Sequence, residues 1–139
     1  MDSHPSPSRR IFVAIPVPHE IFLYLEKLKK QNENISAIKW TRPHNLHLTI
    51  YFIGNIEAKD FEEVVATVKA AVESQKKFII EFEKICLATK KKPKMIWARF
   101  SKHESFSRLA NSINEALKFI ILQNKFHFNE PVPHITFRR

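Results

Sequence analysis

Apolar residues recur along this chain with two alternating periods. From Arg10 to Val17, RIFVAIPV reads as a buried strand, closed by Pro16 and Pro18 because proline removes a ladder donor. Ile21, Phe22, Leu25 and Leu28 then fall at helical spacing over His19 to about Lys30. The lysines of this segment gather at its C-terminal end, where the helix dipole favours cations. A turn over 32–36 leads through Ile-Lys-Trp and Pro43 into a strand over Leu46 to Ile53, which Gly54-Asn55 should halt. Asp60 to Ser74 predicts a helix with Phe61, Val64, Val65, Val68 and Val72 on one stripe. FIIEFEKI (78–85) and MIWARFS (95–101) read as strands joined through the basic loop Lys90 to Lys94. Glu104 to Gln123 predicts a further helix carrying Phe106, Leu109, Ile113, Leu117 and Ile120. A short extended stretch, Phe126 to Phe128, and Pro133 introduce the last strand.

The order strand-helix-strand-helix-strand-strand-helix-strand predicts an α+β fold whose sheets are largely antiparallel, with helices packed outside. MDSHPSPS is polar and rich in proline and serine, so residues 1–8 are expected to form a disordered tail. No linker interrupts the rest, and 9–139 is expected to be one domain. Phe12, Phe52, Phe82 and Phe100 are expected in the core.

Within two of the strands the alternation exposes an unusual set of side chains. In the first, Leu46, Leu48, Ile50 and Phe52 form one greasy face, leaving His47, Thr49, Tyr51 and Ile53 on the other. In the last, Ile135 and Phe137 take the buried face, and His134, Thr136 and Arg138 the other. The word His-x-Thr-apolar is thus written twice, as HLTI and HITF, 87 positions apart. The two copies lie in the two halves of the chain, each near a long helix. This predicts a bilobal molecule in which both polar faces line one central cleft. Either copy alone is most simply a half-exposed strand facing water; two copies with matching faces are not.

Composition narrows the chemistry. A single glycine in 139 residues leaves no material for a glycine-rich phosphate loop or a dinucleotide fingerprint. A net charge of +9, from 23 Lys and Arg against 14 Asp and Glu, attracts polyanions, but it equally suits a lysine-rich solvated surface, and charge alone does not decide between them. The lone Cys86 excludes a disulfide framework and fits a reducing compartment, where it reads as a small buried hydrophobe. No apolar run is long enough to span a bilayer, and the opening residues lack the apolar core of a signal peptide, so a cytoplasmic address is expected.

Two imidazoles and two hydroxyls around one point suit hydrolysis of a phosphate diester. One histidine, neutral, takes a proton from the attacking water. The other, protonated, returns one to the departing ribose oxygen, while Thr49 and Thr136 hold the non-bridging oxygens. Unperturbed imidazole titrates near pH ~6.5, so both forms coexist without extreme tuning. No metal or cofactor is called for. His44 and His47, three apart on an expected extended segment, would point to opposite faces, and no third ligand has suitable spacing.

RIFVAIPVP, IKWTRPHNLHLTIYFIGNI, MIWARF and PVPHITFRR together resemble the RNA 2′,3′-cyclic phosphodiesterases, also called 2′-5′ RNA ligases, of the two-histidine phosphoesterase superfamily. The resemblance runs from about Arg9 to Arg139 and is carried by Trp40, Pro43, Asn45, Leu46, His47, Leu48, Thr49 and the second word. It implies the two motifs on adjacent strands of a central cleft, and metal-independent opening of a terminal 2′,3′-cyclic phosphate to a 2′-phosphomonoester. It further implies His47 as proton donor and His134 as proton acceptor, with Thr49 and Thr136 on the phosphate. Spacing alone assigns the pair without saying which is which. Members of that family continue further past the second motif, so the C-terminal lobe is expected to be shortened. The strand holding His134 is then expected to have an unpaired edge, and the domain to be less stable than longer relatives.

Other expectations are weaker in chemical content. Tyr51 shares the site face and could stack on a base; Trp40 is as suited to the core. Arg138 is the better of two phosphate contacts, ahead of Arg42, because of its face. The loop Lys90-Lys91-Lys92-Pro93-Lys94 reads more as a solvated charge run than as an RNA track. His4, His19, His103 and His127 read as surface residues. The expected partners are RNA ends or nucleoside 2′,3′-cyclic phosphates, with no membrane, and the expected state is a monomer. The competing readings are a non-catalytic single-stranded RNA-binding module and a related phosphodiesterase acting on a small nucleotide.

Overall fold

The computed structural model describes residues 7–32, 39–87, 95–120 and 132–138. Among these, β1 runs Ser8–Pro16, α1 His19–Gln31, β2 His47–Glu57, α2 Phe61–Glu73, β3 Phe82–Leu87, β4 Ile96–Phe100, α3 Glu104–Leu117 and β5 His134–Arg138. The hydrogen-bonded strand order is β1-β2-β5-β4-β3. The pairs β2/β5, β5/β4 and β4/β3 are all antiparallel, so the α+β class with a largely antiparallel sheet stands. The last strand of the chain is inserted between β2 and β4. The unpaired edge expected beside His134 is therefore absent, because β5 has a hydrogen-bonded neighbour on either side. No helix among the described residues is long and apolar enough to cross a membrane.

The described residues fall into two compact units, each assembled from three separate stretches of chain. One draws on Met1–Val13, Ile50–Ile79 and Lys102–Pro131. Its core is the inner stripe of α3, where Phe106, Leu109, Ala110, Ile113 and Leu117 are all buried. His103, expected as a plain surface residue, caps this helix: its Nδ1 accepts the Ser105 backbone N–H at 3.0 Å, and its ring stacks on Phe78. Of the five apolar residues expected on the α2 stripe only Val64 is buried, while Phe61, Val65 and Val72 are exposed. Gly54 does not stop β2. With φ +94 it takes a backbone conformation open to glycine, and the strand continues to Glu57 with Ile56 buried. Phe12, expected in the core, is 45% exposed, and Phe52 is half-buried beneath the Arg10 guanidinium at 4.7 Å.

The other unit draws on Ala14–Thr49, Ile80–Ser101 and Val132–Arg139. Here the apolar face of the sheet follows from register. Leu48 lies opposite Ile135 and Ala98 opposite Ile135, and all three are buried with Phe100 and Phe137. Helix α1 covers this face with Leu25 fully buried, and Ile21 and Tyr24 share a small apolar cavity with Phe82, Ala98 and Phe137. Phe82, another expected core residue, is 48% exposed, since it opens β3 and meets Tyr24 and Phe100 edge-on. Strand β3 itself begins at Phe82, later than the apolar run from Phe78 suggests. The expected loop Lys90 to Lys94, the stretch Phe126 to Phe128 and most of the expected tail lie outside the described residues.

Candidate active site

Both His-x-Thr words lie in this second unit, side by side on β2 and β5, not one in each lobe as their separation along the chain suggested. The pairing of Leu48 with Ile135 fixes their relation. One step to either side, an antiparallel ladder sets His47 across from Thr136 and Thr49 across from His134. Leu48 and Ile135 are 5% and 2% exposed, so these four polar residues share the opposite face of the sheet. All four are half-buried. The histidines are diagonal neighbours, positions roughly 7–8 Å apart in such a ladder. A group the size of a phosphate can sit between two imidazoles at that spacing, within hydrogen-bond reach of each.

Each imidazole is anchored in the same way. His47 Nδ1 lies 2.7 Å from the Asn45 carbonyl oxygen, and His134 Nδ1 lies 2.8 Å from the Val132 carbonyl oxygen, in both cases two residues back. A carbonyl only accepts, so both Nδ1 atoms carry the hydrogen and donate it. In the neutral form of each ring the lone pair is therefore on Nε2.

The chain arrives at these carbonyls by different routes. Before His47, Pro43 opens a 3₁₀ turn over Pro43–Asn45, closed by Asn45 N–H to Arg42 O at 2.8 Å and Leu46 N–H to Pro43 O at 3.2 Å. That turn also holds His44, which was expected on an extended segment; among the described residues no group of three His, Cys, Asp or Glu side chains is arranged to hold a metal. Before His134, Val132 precedes buried Pro133, and the residue before a proline is biased toward extended backbone. The Pro133 carbonyl accepts the Phe100 N–H at 2.9 Å, tying the approach to β4.

Two further strands extend the polar face. Trp97 lies across from Thr136 and Arg99 across from His134 on β4; Cys86 lies across from Trp97 and Lys84 across from Arg99 on β3. The face therefore carries two rows, His47-Thr136-Trp97-Cys86 and Thr49-His134-Arg99-Lys84. The Trp97 indole stacks on the His134 imidazole, with ring centroids 3.9 Å apart and planes 19° from parallel. The Arg99 Nε lies 3.5 Å from the Glu83 carboxylate, a part-exposed pair that contributes little to stability. Arg138 continues the His134, Thr136 face at the end of β5, where the chain bridges back to Trp40.

Tyr51 does not join this group. It is 6% exposed and donates its hydroxyl to Asn114 Oδ1 of α3 at 2.7 Å. The expected alternation breaks there because Ile50 and Tyr51 are both buried, at the point where β2 passes into the other compact unit. Trp97 and Arg99 were not among the expected site residues, although the signal was present. In Ile-Trp-Ala-Arg-Phe the apolar Ile96, Ala98 and Phe100 alternate with Trp97 and Arg99, the pattern that marked the other two strands.

The model of the family described as LigT like Phosphoesterase matches residues 15–97, which include the first word and stop short of the second. The chain is 30% identical over 112 residues to a protein of Archaeoglobus fulgidus named RNA 2′,3′-cyclic phosphodiesterase, covering 78% of this chain and 61% of that one. A protein of the same name from Aquifex aeolicus is 29% identical over 136 residues, covering 94% and 70%. The chain thus spans 61% to 70% of the length of these relatives. Among solved structures, E. coli LigT in apo form superposes with a TM-score of 0.72 at 22% identity, over 96% of this chain and 73% of that one. A Thermus thermophilus protein superposes with a TM-score of 0.68 at 22% identity, over 94% and 74%.

Proposed function

The chain belongs to the LigT-like phosphoesterase family, and from that premise we propose that it opens RNA 2′,3′-cyclic phosphate ends to 2′-phosphomonoesters by paired-histidine acid/base catalysis, without a metal. The observation that carries this reading is the pairing of Leu48 with Ile135, which sets two identically anchored imidazoles diagonally on one face.

In the proposed reaction the water oxygen attacks phosphorus as His134 Nε2 takes its proton. The bond from phosphorus to O3′ breaks, and O3′ takes a proton from His47 Nε2. The product carries a 2′-phosphate and a free 3′-hydroxyl, and the two rings return to their starting protonation through solvent. Thr49 and Thr136 hydroxyls, each beside a histidine, donate to the non-bridging oxygens where negative charge grows. Arg138 on the same face adds a cation suited to the phosphate. Each proton-transfer group in such a mechanism contributes about 10²–10⁴-fold. A 5′-hydroxyl in place of water, losing its proton to His134 as O5′ bonds phosphorus and the bond to O3′ breaks, would give a 2′-5′ phosphodiester, which is ligation by the same proton flow.

Incubation with an RNA ending in a 2′,3′-cyclic phosphate, in EDTA, tests the proposal by the product. A 2′-phosphomonoester is expected; a 3′-phosphomonoester would reverse the assignment of the leaving oxygen, and no turnover by folded protein would reject the reading.

A further inference from the structure

We infer that Trp97 is an electrostatic positioning residue for His134, its indole face stabilising the imidazolium that forms as His134 takes the proton from water. The inference rests on the phosphodiesterase reading of this site and adds to it a residue that acts through the base. It also offers a physical reason for the direction of proton flow that the two matching words leave open.

The rings lie face to face at 3.9 Å and 19°. Two neutral aromatic rings prefer offset or edge-on arrangements with centroids further apart, because their like quadrupoles repel in a close parallel stack. A cation over an indole face is attracted instead, and indole is the strongest of the aromatic partners. The observed stack therefore favours His134 more when it is charged than when it is neutral. Such an interaction accelerates a reaction only where charge develops in the transition state. It suits a base, which becomes cationic as it accepts a proton, and would hold back an acid, which must surrender its charge.

The other neighbours strengthen the case. Across β4 from His134 stands Arg99, a cation that opposes a second positive charge, with Glu83 at 3.5 Å offsetting part of it. On the β2 side stands Thr49, a neutral hydroxyl, by continuation of the Leu48 to Ile135 register. Of the groups that the ladder and the ring contacts place beside His134, Trp97 is the one stacked on the ring plane. Its Nε1 is buried, with no acceptor among the described residues.

The test uses the Trp40→Phe protein, in which Trp97 is the sole tryptophan, and replaces that residue with mono-, di- and trifluorinated tryptophan. Fluorination drains the ring face of electron density with little change in shape. The single-turnover rate on a 2′,3′-cyclic phosphate should fall stepwise along the series, by about 2- to 30-fold in total, with the half-saturating concentration unchanged. Trp97→Phe should fall between the unsubstituted protein and Trp97→Leu. A rate that stays flat across the fluorinated series while the unsubstituted protein turns over would overturn the role of Trp97 and leave the phosphodiesterase reading intact. Absence of turnover in the unsubstituted Trp40→Phe and wild-type proteins alike would reject both.

Discussion

The two copies of the His-x-Thr word present the same chemistry through unlike supports. The first opens an 11-residue strand and is preceded by a proline-led 3₁₀ turn that brings the Asn45 carbonyl to His47. The second occupies a 5-residue strand whose approach is tied to β4 through the Pro133 carbonyl, and the Trp97 indole of β4 lies on its imidazole; both strands have hydrogen-bonded neighbours on either side. The first copy is approached through a local turn, the second through contacts with β4. Local support and tertiary support can place equivalent atoms, but they should fail differently when perturbed.

The largest perturbation removes the imidazoles themselves. His47→Ala and His134→Ala should each lower turnover of a 2′,3′-cyclic phosphate by about 10²–10⁴-fold, with folding retained by circular dichroism. A single variant with unchanged turnover would break the equivalence of the two copies. Next in size is the buried pair that sets the register. Ile135→Ala should lower stability by about 2–5 kcal/mol in denaturant unfolding and reduce activity through His134 and Thr136 on either side. Leu48→Ala should cost a similar amount of stability with a smaller loss of activity, because the Pro43 turn still positions His47. Equal activity losses would remove the distinction between local and tertiary support. Smaller again, Thr49→Val and Thr136→Val should each slow turnover by roughly 10- to 100-fold, the value of a hydrogen bond to a charged oxygen.

What the chain revealed on its own follows the same division. The alternation of strands was enough to put His47 with Thr49 and His134 with Thr136, since a period of two is a property of the backbone. The matching faces pointed to one cleft and the resemblance to adjacent strands, as found for β2 and β5; alternation alone does not give the insertion of β5 between β2 and β4, which depends on contacts between residues far apart in the chain. Tyr51 was misplaced for a related reason. Alternation assigns a face, but what lies against that face changes at Ile50, where β2 enters the helical unit and Asn114 receives the hydroxyl. Trp97 and Arg99 were readable from their alternation with Ile96, Ala98 and Phe100, yet no repeated word marked them. Phe12 and Phe82 show that an aromatic residue in an apolar run need not be buried.

Tyr51 also supplies the smallest of the expected effects. Tyr51→Phe leaves the buried Asn114 side chain without that donor and should cost about 1–3 kcal/mol of stability, read in denaturant unfolding, with turnover of saturating substrate unchanged. A loss of turnover without a loss of stability would return Tyr51 to the site.

The claim that both words form one site is tested most directly by a double-variant cycle on turnover of an RNA 2′,3′-cyclic phosphate. Residues that act as a unit are strongly non-additive, so His47→Ala with His134→Ala should be about as slow as the slower single variant. Multiplying losses, with the double variant slower by the product of the two singles, would show the histidines acting independently and contradict a shared site.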